Sequence, residues 1–276
     1  MQQVGTKIQM LRKHKNITQA QLAEALSVSP QSVSKWENQQ SLPDISLLPV
    51  IARYFGITMD ELFGYRLDAL NYKERFIRFM ADNGVLQFGA FPLQSGRISP
   101  YYINTGNYQS ASQIAKLGAF YAECIREHNV DGNLLVGNTR QEIPVMIATS
   151  MVLYQKYGLD MAYSADGSVG KTLDASDRIV LIKDTLTSGQ SLHEALDALG
   201  QPVTDVIVSV DRMERGTHSP HTALREVEAR HPVKIHSIVT VEDIIRAVKD
   251  GIVGSEEHLR ALEAYRETYG GIGDGD

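Results

Sequence analysis

The chain has 276 residues, of which 43% are hydrophobic and 22% are charged, and its formal net charge is −6. This composition is typical of a globular protein of one or two domains and excludes a disordered or fibrous chain. A negative net charge argues against unspecific coating of nucleic acid, although a charge summed over the whole chain can hide a local basic face. The local charge of each end of the chain is therefore more informative than the total.

The chain lacks the sequence features of a membrane or secreted protein. No apolar run approaches the roughly 18 to 20 residues that cross a bilayer, and residues 1–7 lack the apolar region of a signal peptide. The single cysteine, Cys124, excludes an internal disulfide and a cysteine-cluster metal site. We expect a cytoplasmic protein with no membrane partner and no metal site of its own.

The first forty residues are locally basic and carry the pattern of several short helices. They contain five lysines and arginines against two acids, and their apolar residues recur at helical spacing between polar turns. Thr18 with Gln21 has the pattern of a capping box, and Ser29 followed by Pro30 begins a second helix. The turn at residues 27–29 is short enough to set two helices at a steep angle.

Four stretches of this segment resemble the Cro/C1-type (XRE) helix-turn-helix family. They are residues 17–23 (ITQAQLA), 33–38 (VSKWEN), 43–44 (PD) and 59–62 (MDEL), within a resemblance that covers residues 5–64. In that family the second helix of the motif lies in the major groove of DNA. A helical protein-interaction module of the same shape is the alternative, but the basic bias favours double-stranded operator DNA as the partner.

The resemblance also implies roles for individual residues. The exposed face that reads DNA consists of Gln31, Ser32, Lys35 and Asn38. Gln19 is expected near a phosphate at the start of a helix. Val33 and Trp36 are expected to point into the core instead.

The rest of the chain alternates between strand-like and helix-like segments. Strand-like apolar runs lie at residues 134–136, 179–182, 206–210 and 235–241. This alternation predicts an open, mostly parallel α/β sheet. The predicted fold class is therefore two domains, an all-α helix-turn-helix bundle at residues 1–68 and an α/β domain at residues 69–276.

The run at residues 179–191 combines a buried strand with a loop rich in hydroxyl groups. Backbone N–H and hydroxyl groups at a helix N-terminus bind phosphate. The run resembles the phosphoribosyl-pyrophosphate (PRPP) signature of type I phosphoribosyltransferases, whose strand ends in two acids, whereas here the first acid is replaced by Lys183. An ordinary strand–turn–helix is the alternative for this run alone. The phosphate- and ribose-binding residues implied by the resemblance are Lys183, Asp184, Thr185, Thr187, Ser188, Gly189, Gln190 and Ser191.

Further stretches complete a resemblance to orotate phosphoribosyltransferase across about residues 72–269. They are residues 91–104, 137–144, 210–216 and 261–269. The resemblance implies the type I phosphoribosyltransferase fold. It also implies a base pocket formed by Ser95, Tyr101, Tyr102 and Arg212. The chemistry suits this role, because aromatic faces stack on a flat base and a guanidinium holds a carboxylate. It places Thr139, Arg140 and Gln141 on the pyrophosphate side. Asp184 is the catalytic candidate if the protein is an active enzyme.

The chain departs from the family where the family handles pyrophosphate and the ribose hydroxyls. Gln94 stands where the family prefers lysine, and Gln141-Glu142 stands where it has Lys-Gly. The mobile loop, at residues 165–171 here, keeps only Lys171 as a cation, and Lys183 replaces an acid. Each lost contact of this kind costs about 2 to 4 kcal/mol of transition-state stabilisation. Little turnover is expected, although Lys183 can supply a built-in cation.

We therefore expect a transcriptional regulator that senses a nucleotide-related ligand, namely PRPP, orotate or a pyrimidine monophosphate, with little or no catalysis. The alternatives are an active orotate phosphoribosyltransferase that also regulates genes, and a ligand-gated protein-interaction module. Both resembling families commonly dimerise, which implies a homodimer on a pseudo-palindromic operator. DNA binding requires no cofactor, and Mg²⁺ is expected only if PRPP binds or the enzyme is active.

Overall fold

The computed structural model describes residues 3–15, 17–57, 59–63, 71–93, 97–165, 169–217 and 219–272. The chain divides into two compact units, Met1–Asn71 and Tyr72–Asp276. The first is all-α and the second is α/β, which confirms the predicted fold class. The predicted boundary between residues 68 and 69 lies outside the described residues. No helix of the described ranges is long and apolar enough to cross a membrane.

Five short helices form the first unit within its described residues. They are α1 (Gln3–His14), α2 (Gln19–Ala25), α3 (Pro30–Glu37), α4 (Leu48–Phe55) and α5 (Met59–Leu62). The predicted capping box at Thr18 is present, and Ser29 caps α3 with Pro30 in its first turn. Val33 and Trp36 are buried in the core of this unit, as predicted.

A buried ion pair ties α1 to the end of α3. The Arg12 guanidinium donates Nε to Glu37 Oε1 at 2.6 Å and Nη2 to Glu37 Oε2 at 2.9 Å, and the Glu37 side chain is 0% exposed. Burial by itself raises the pKa of Glu37, but hydrogen bonds from Arg12 and Gln19 outweigh it and lower this pKa below its ordinary value. The stabilisation is therefore present above the ordinary glutamate pKa and is lost as the pH falls through the lowered one.

The second unit contains a hairpin, a six-stranded sheet and seven helices among the residues that the structure describes. The strands are β1 (Leu86–Pro92), β2 (Ile98–Ile103), β3 (Leu134–Val136), β4 (Ala162–Ala165), β5 (Val169–Gly170), β6 (Ile179–Leu186), β7 (Val203–Asp211) and β8 (Lys234–Thr240). The helices are α6 (Tyr72–Asp82), α7 (Ala111–Glu127), α8 (Glu142–Tyr157), α9 (Gln190–Leu199), α10 (Ala223–Arg230), α11 (Val241–Lys249) and α12 (Glu256–Tyr269).

The sheet has the order β5-β4-β3-β6-β7-β8, and every neighbouring pair is parallel except β4 and β5. Its two faces are covered by different helices, which explains the uninterrupted apolar run at the start of β6. Val180 and Ile182 pack in the core that contains α7 and α8, whereas Ile179 and Leu181 pack in the core that contains α9 and α10. The mostly parallel sheet predicted from the sequence is confirmed.

Replacing Arg12 by alanine leaves the buried Glu37 carboxylate without its cation. We expect Arg12→Ala to lower the free energy of unfolding of the first unit by about 3 to 5 kcal/mol. Trp36 is the only tryptophan of the chain and is buried in this unit, so its fluorescence during urea denaturation reports on this unit. Lys13→Ala, at an exposed position of the same helix, is the control and should change the value by less than about 0.5 kcal/mol. Equal losses in both variants would contradict the importance of the pair.

Candidate functional site

The predicted ligand-binding residues lie where β3, β6 and β7 end. Because these strands are parallel, their carboxyl ends lie at one edge of the sheet, which is where open α/β sheets bind ligands. The segment after β3 carries residues 137–141, the segment after β6 carries residues 187–189, and the segment after β7 carries residues 212–217. The fold thus brings three predicted segments to the same side of the molecule.

The loop after β6 has the geometry of a phosphate-binding turn. Gly189 caps α9 with φ +83°, a conformation that side chains rarely adopt, and a Cβ there would lie 3.2 Å from Val227 Cγ2. The first N–H groups of a helix generally have no partner within it, but in α9 those of Leu192 and His193 donate to the Gly189 carbonyl at 3.0 and 2.9 Å. Thr187, Ser188 and Gln190 are exposed and line a cavity of about 630 Å³. Thr185 lines the same cavity, and Ser191 is exposed at the start of α9.

The predicted base-binding residues are only partly brought together. Tyr102 is 41% exposed and lines the large cavity with Arg212, whereas Tyr101 is completely buried beneath the Arg212 guanidinium, 4.1 Å from its ring centre. Arg212 donates Nε to Glu214 Oε1 at 2.8 Å and Nη2 to Ser99 Oγ at 2.9 Å. Its charge is therefore partly neutralised by Glu214, and Tyr101 supports it from below. Two further residues lie outside the described part of the chain. They are Ser95, the remaining predicted base-binding residue, and Gln94, which stands where the family prefers lysine.

The loop after β3 holds a carboxylate that belongs to the chain itself. Thr139, Arg140 and Gln141 are exposed, but Glu142 at the start of α8 is 4% exposed and turns inward. Its Oε2 accepts the backbone N–H groups of Asn138 and Thr139, each at 3.1 Å. Successive N–H groups of this kind form anion-binding sites in proteins.

Lys183 is the second partner of this carboxylate. Its Nζ lies 2.6 Å from Glu142 Oε1, and the side chain of the lysine is only 10% exposed. Tyr121 fixes the backbone at this position by donating its hydroxyl to the Lys183 carbonyl at 2.6 Å. Lys183 is thus a buried cation already neutralised by Glu142, not the freely available cation expected from the sequence.

Asp184, the next residue of β6, has a hydrogen-bond partner of its own. Its Oδ2 accepts a hydrogen bond from Thr105 Oγ1 at 2.5 Å, and it lines a smaller cavity of about 220 Å³ together with Thr105, Arg140 and Glu142. Burial raises the pKa of Asp184 to about 6, and the negative charge of Glu142 adds to this rise. The hydrogen bond from Thr105 acts in the opposite direction and lowers the pKa. The carboxyl group therefore takes up a proton as the pH falls through about 6.

The cation that remains in the shortened loop is also paired. Lys171 Nζ lies 2.5 Å from Asp177 Oδ1 and 2.8 Å from Asp174 Oδ2. Hydrogen bonds from its ammonium group to these two carboxylates raise the pKa of Lys171. Of the other residues of the predicted loop, Ala165 ends β4, residues 169–170 form β5, and residues 166–168 lie outside the described part of the chain.

The residues at this edge fit a protein-held Mg²⁺ poorly. A lysine ammonium cannot ligate a cation, and Lys183 occupies a position where the resemblance implies an acid. The Asp184 carboxylate already accepts a hydrogen bond from Thr105. Within the described ranges, no cluster of three histidine, cysteine, aspartate or glutamate side chains is arranged to hold a metal.

The predicted DNA-reading residues lie on α3 and beside it. Gln31, Lys35 and Asn38 are exposed, as a reading face requires, while Ser32 is half-buried and its hydroxyl lies 2.9 Å from that of Ser29. The Gln19 amide is used inside the unit, because Nε2 donates to Glu37 Oε2 at 2.8 Å. Contacts of these residues with DNA remain predictions.

The contacts of Glu142 at the candidate site are not predicted by the sequence. In the sequence this residue is only a departure from the family next to Gln141. The sequence does contain a signal for this pair. Relative to the family, the chain gains an acidic residue at Glu142 and replaces an acidic residue by Lys183, and two opposite changes of charge are the pattern of a compensating pair.

We expect Lys183→Ala to lower the free energy of unfolding of the second unit by about 3 to 5 kcal/mol, because the buried Glu142 loses its cation. The matched control is Arg178→Ala, which removes an ion pair with Asp131 at 50% and 87% side-chain exposure just before β6. Exposed pairs contribute about 0 to 1 kcal/mol. Differential scanning calorimetry measures both changes, and equal small losses would show that the Lys183 pair contributes no more than a surface pair.

Comparison with known proteins identifies the two parts of the chain separately. A family model described as helix-turn-helix matches residues 8–62. An orotate phosphoribosyltransferase of Thioalkalivibrio sulfidiphilus is 35% identical over 211 residues, covering 72% of this chain and 98% of that protein. The crystal structure of an orotate phosphoribosyltransferase from Francisella tularensis superposes with a TM-score of 0.63 at 32% identity, over 71% of this chain and 99% of that one.

A more distant structure, UMP synthase of Leishmania donovani, shares the fold with a TM-score of 0.58 at 18% identity, over 76% of this chain and 46% of that one. The second unit therefore has the type I phosphoribosyltransferase fold that the sequence implied. The chain belongs to the orotate phosphoribosyltransferase family and carries an XRE-type helix-turn-helix DNA-binding domain ahead of its phosphoribosyltransferase-like region.

Proposed function

We propose that this chain is a transcriptional regulator that binds double-stranded operator DNA as a homodimer in the cytoplasm. Its phosphoribosyltransferase-like domain senses a nucleotide-related ligand and has little or no catalytic activity. Ligand binding changes the affinity for DNA, and by thermodynamic linkage DNA changes the affinity for the ligand by the same factor.

The observation that carries this proposal is that two lysines of the predicted site are already paired with carboxylates of the chain itself. Lys183 is paired with Glu142, and Lys171 is paired with Asp174 and Asp177. Transfer of a phosphoribosyl group develops negative charge on the leaving pyrophosphate, which cations must stabilise. Arg140 is exposed beside this loop but supplies a single charge.

The phosphate loop supports retained ligand binding. Thr187, Ser188 and the start of α9 border a cavity large enough for a nucleotide-sized molecule. Tyr102 and Arg212 line the same cavity, so a flat base and a phosphate can both be recognised there. A domain with these features and a weakened pyrophosphate side is suited to bind a ligand without converting it.

The second candidate is an active orotate phosphoribosyltransferase that also regulates genes. It is favoured by the 35% identity to an orotate phosphoribosyltransferase along nearly that protein's whole length. If PRPP is a ligand, Mg²⁺ then arrives with PRPP and is not held by the protein beforehand. The paired state of Lys183 weighs against this candidate.

Lys35 is exposed on the helix that is expected to enter the major groove, so reversing its charge should weaken DNA binding. We expect Lys35→Glu to lower the affinity at least about tenfold and to reduce the salt dependence by about one phosphate contact. The test is a fluorescence titration with duplex DNA that the wild-type chain selects from a random pool.

Lys249→Glu is the matched control for this titration. It makes the same change in charge at an exposed position at the end of α11, in the other unit. Equal weakening in both variants would indicate an effect of total charge, and selection of no DNA by the wild-type chain would contradict the proposed regulatory function.

Turnover of orotate and PRPP should be slow. We expect pyrophosphate release at least about 100-fold slower than that of the Thioalkalivibrio sulfidiphilus relative under the same conditions, because more than one cationic contact is lost. A coupled pyrophosphate assay with Mg²⁺ measures both proteins. Comparable rates would overturn the proposal of a non-catalytic sensor and establish the second candidate.

A further inference from the structure

The Glu142 carboxylate lies on the backbone donors of the loop that was predicted to face pyrophosphate. Its Oε2 accepts from both Asn138 N and Thr139 N at 3.1 Å, and its Oε1 accepts from Lys183 Nζ at 2.6 Å. Both carboxylate oxygens are therefore satisfied by groups that suit an external anion equally well. The chain supplies its own anion at this site.

The packing around this carboxylate holds it in place. Glu142 is 4% exposed, and the α carbon of Gly137 lies so near that a Cβ would be 3.2 Å from the carbonyl carbon and oxygen of Glu142. The Glu142 N–H also donates to the Thr139 carbonyl at 3.1 Å, which closes the turn. Removing the carboxylate from its donors would leave Lys183 buried without a partner, which is costly.

The resemblance implies that Thr139 lies on the pyrophosphate side, so a diphosphate on carbon 1 of a ribose is expected to approach these same donors. It would meet the negative charge of Glu142 at short range, and Lys183 would offer no net attraction because it is already paired. A ligand with a phosphate only on carbon 5 avoids this conflict. Its phosphate uses the separate loop formed by Thr187, Ser188 and Gly189 at the start of α9.

We propose that Glu142 is a specificity-determining residue that restricts the ligand to sugar phosphates and nucleotides with a single 5′-phosphate and excludes PRPP. This inference rests on the proposed ligand-sensing function and narrows its ligand class. Specificity here comes from a built-in repulsive group as well as from attraction at the phosphate loop. The signal that reaches the DNA-binding domain is then the level of a pyrimidine 5′-monophosphate or a related monophosphate.

Calorimetric titration of the full chain with ribose 5-phosphate, orotidine 5′-monophosphate and PRPP tests the inference. Ribose 5-phosphate and PRPP differ only in the diphosphate on carbon 1. Each monophosphate that binds should do so at least about tenfold more tightly than PRPP. PRPP binding as tight as that of the monophosphates would overturn the inference alone, whereas failure of all three ligands to bind would overturn the proposed sensing function as well.

Two variants remove the internal anion in different ways. Glu142→Gly combined with Lys183→Asp restores the residue types that the family prefers, and Glu142→Gln removes the charge while keeping the shape. In both variants PRPP affinity should rise at least about tenfold, while affinity for the monophosphates changes less than about threefold.

The matched control makes the corresponding substitutions at an exposed pair. Glu256→Gly combined with Arg260→Asp alters an ion pair on α12 whose side chains are 77% and 75% exposed, and it should leave PRPP binding unchanged. Folded Glu142 variants without any gain in PRPP affinity would overturn the inference. If both Glu142 variants fail to fold, the titration of the wild-type chain decides the question.

Discussion

The ion pair between Lys183 and Glu142 is the constraint on which the proposed ligand-binding edge of the sheet depends. It joins β6 to the start of α8, and through Glu142 it also fixes the backbone of Asn138 and Thr139. Buried ions are tolerated only when their partners and hydrogen bonds are in place. The pair therefore sets the shape of the loop after β3 and the charge that an entering ligand meets.

The two sides of this edge consequently have different electrostatic character. On one side, the start of α9 and the hydroxyl groups of Thr187 and Ser188 offer donors to a phosphate. On the other side, the equivalent donors are occupied by a side chain of the protein. The family's fold has kept its geometry, and the change in function proposed for this chain arises from a few side chains, which agrees with the view that function depends on the site more than on the fold.

Much of the fold could be predicted because its signals are local. The apolar run of β6 and the caps at Thr18 and Ser29 depend on near neighbours in the chain. Strands β4 and β5 were missed because they are short and are defined by pairing with other strands. The sequence predicts Lys183 as a residue of the candidate site, but it does not predict that Glu142 is its partner. A glutamate in the first turn of a helix is an ordinary feature, and only the fold brings Glu142 close to β6.

The mutual dependence of Lys183 and Glu142 also limits how this chain can change over time. A single substitution back towards the family pattern leaves either a buried lysine or a buried glutamate unpaired, at a cost of about 3 to 5 kcal/mol. That cost is a large share of the stability of a typical domain, about 5 to 15 kcal/mol. The route from this site back to an acid-bearing one therefore passes through a less stable intermediate, so the two positions are expected to change together.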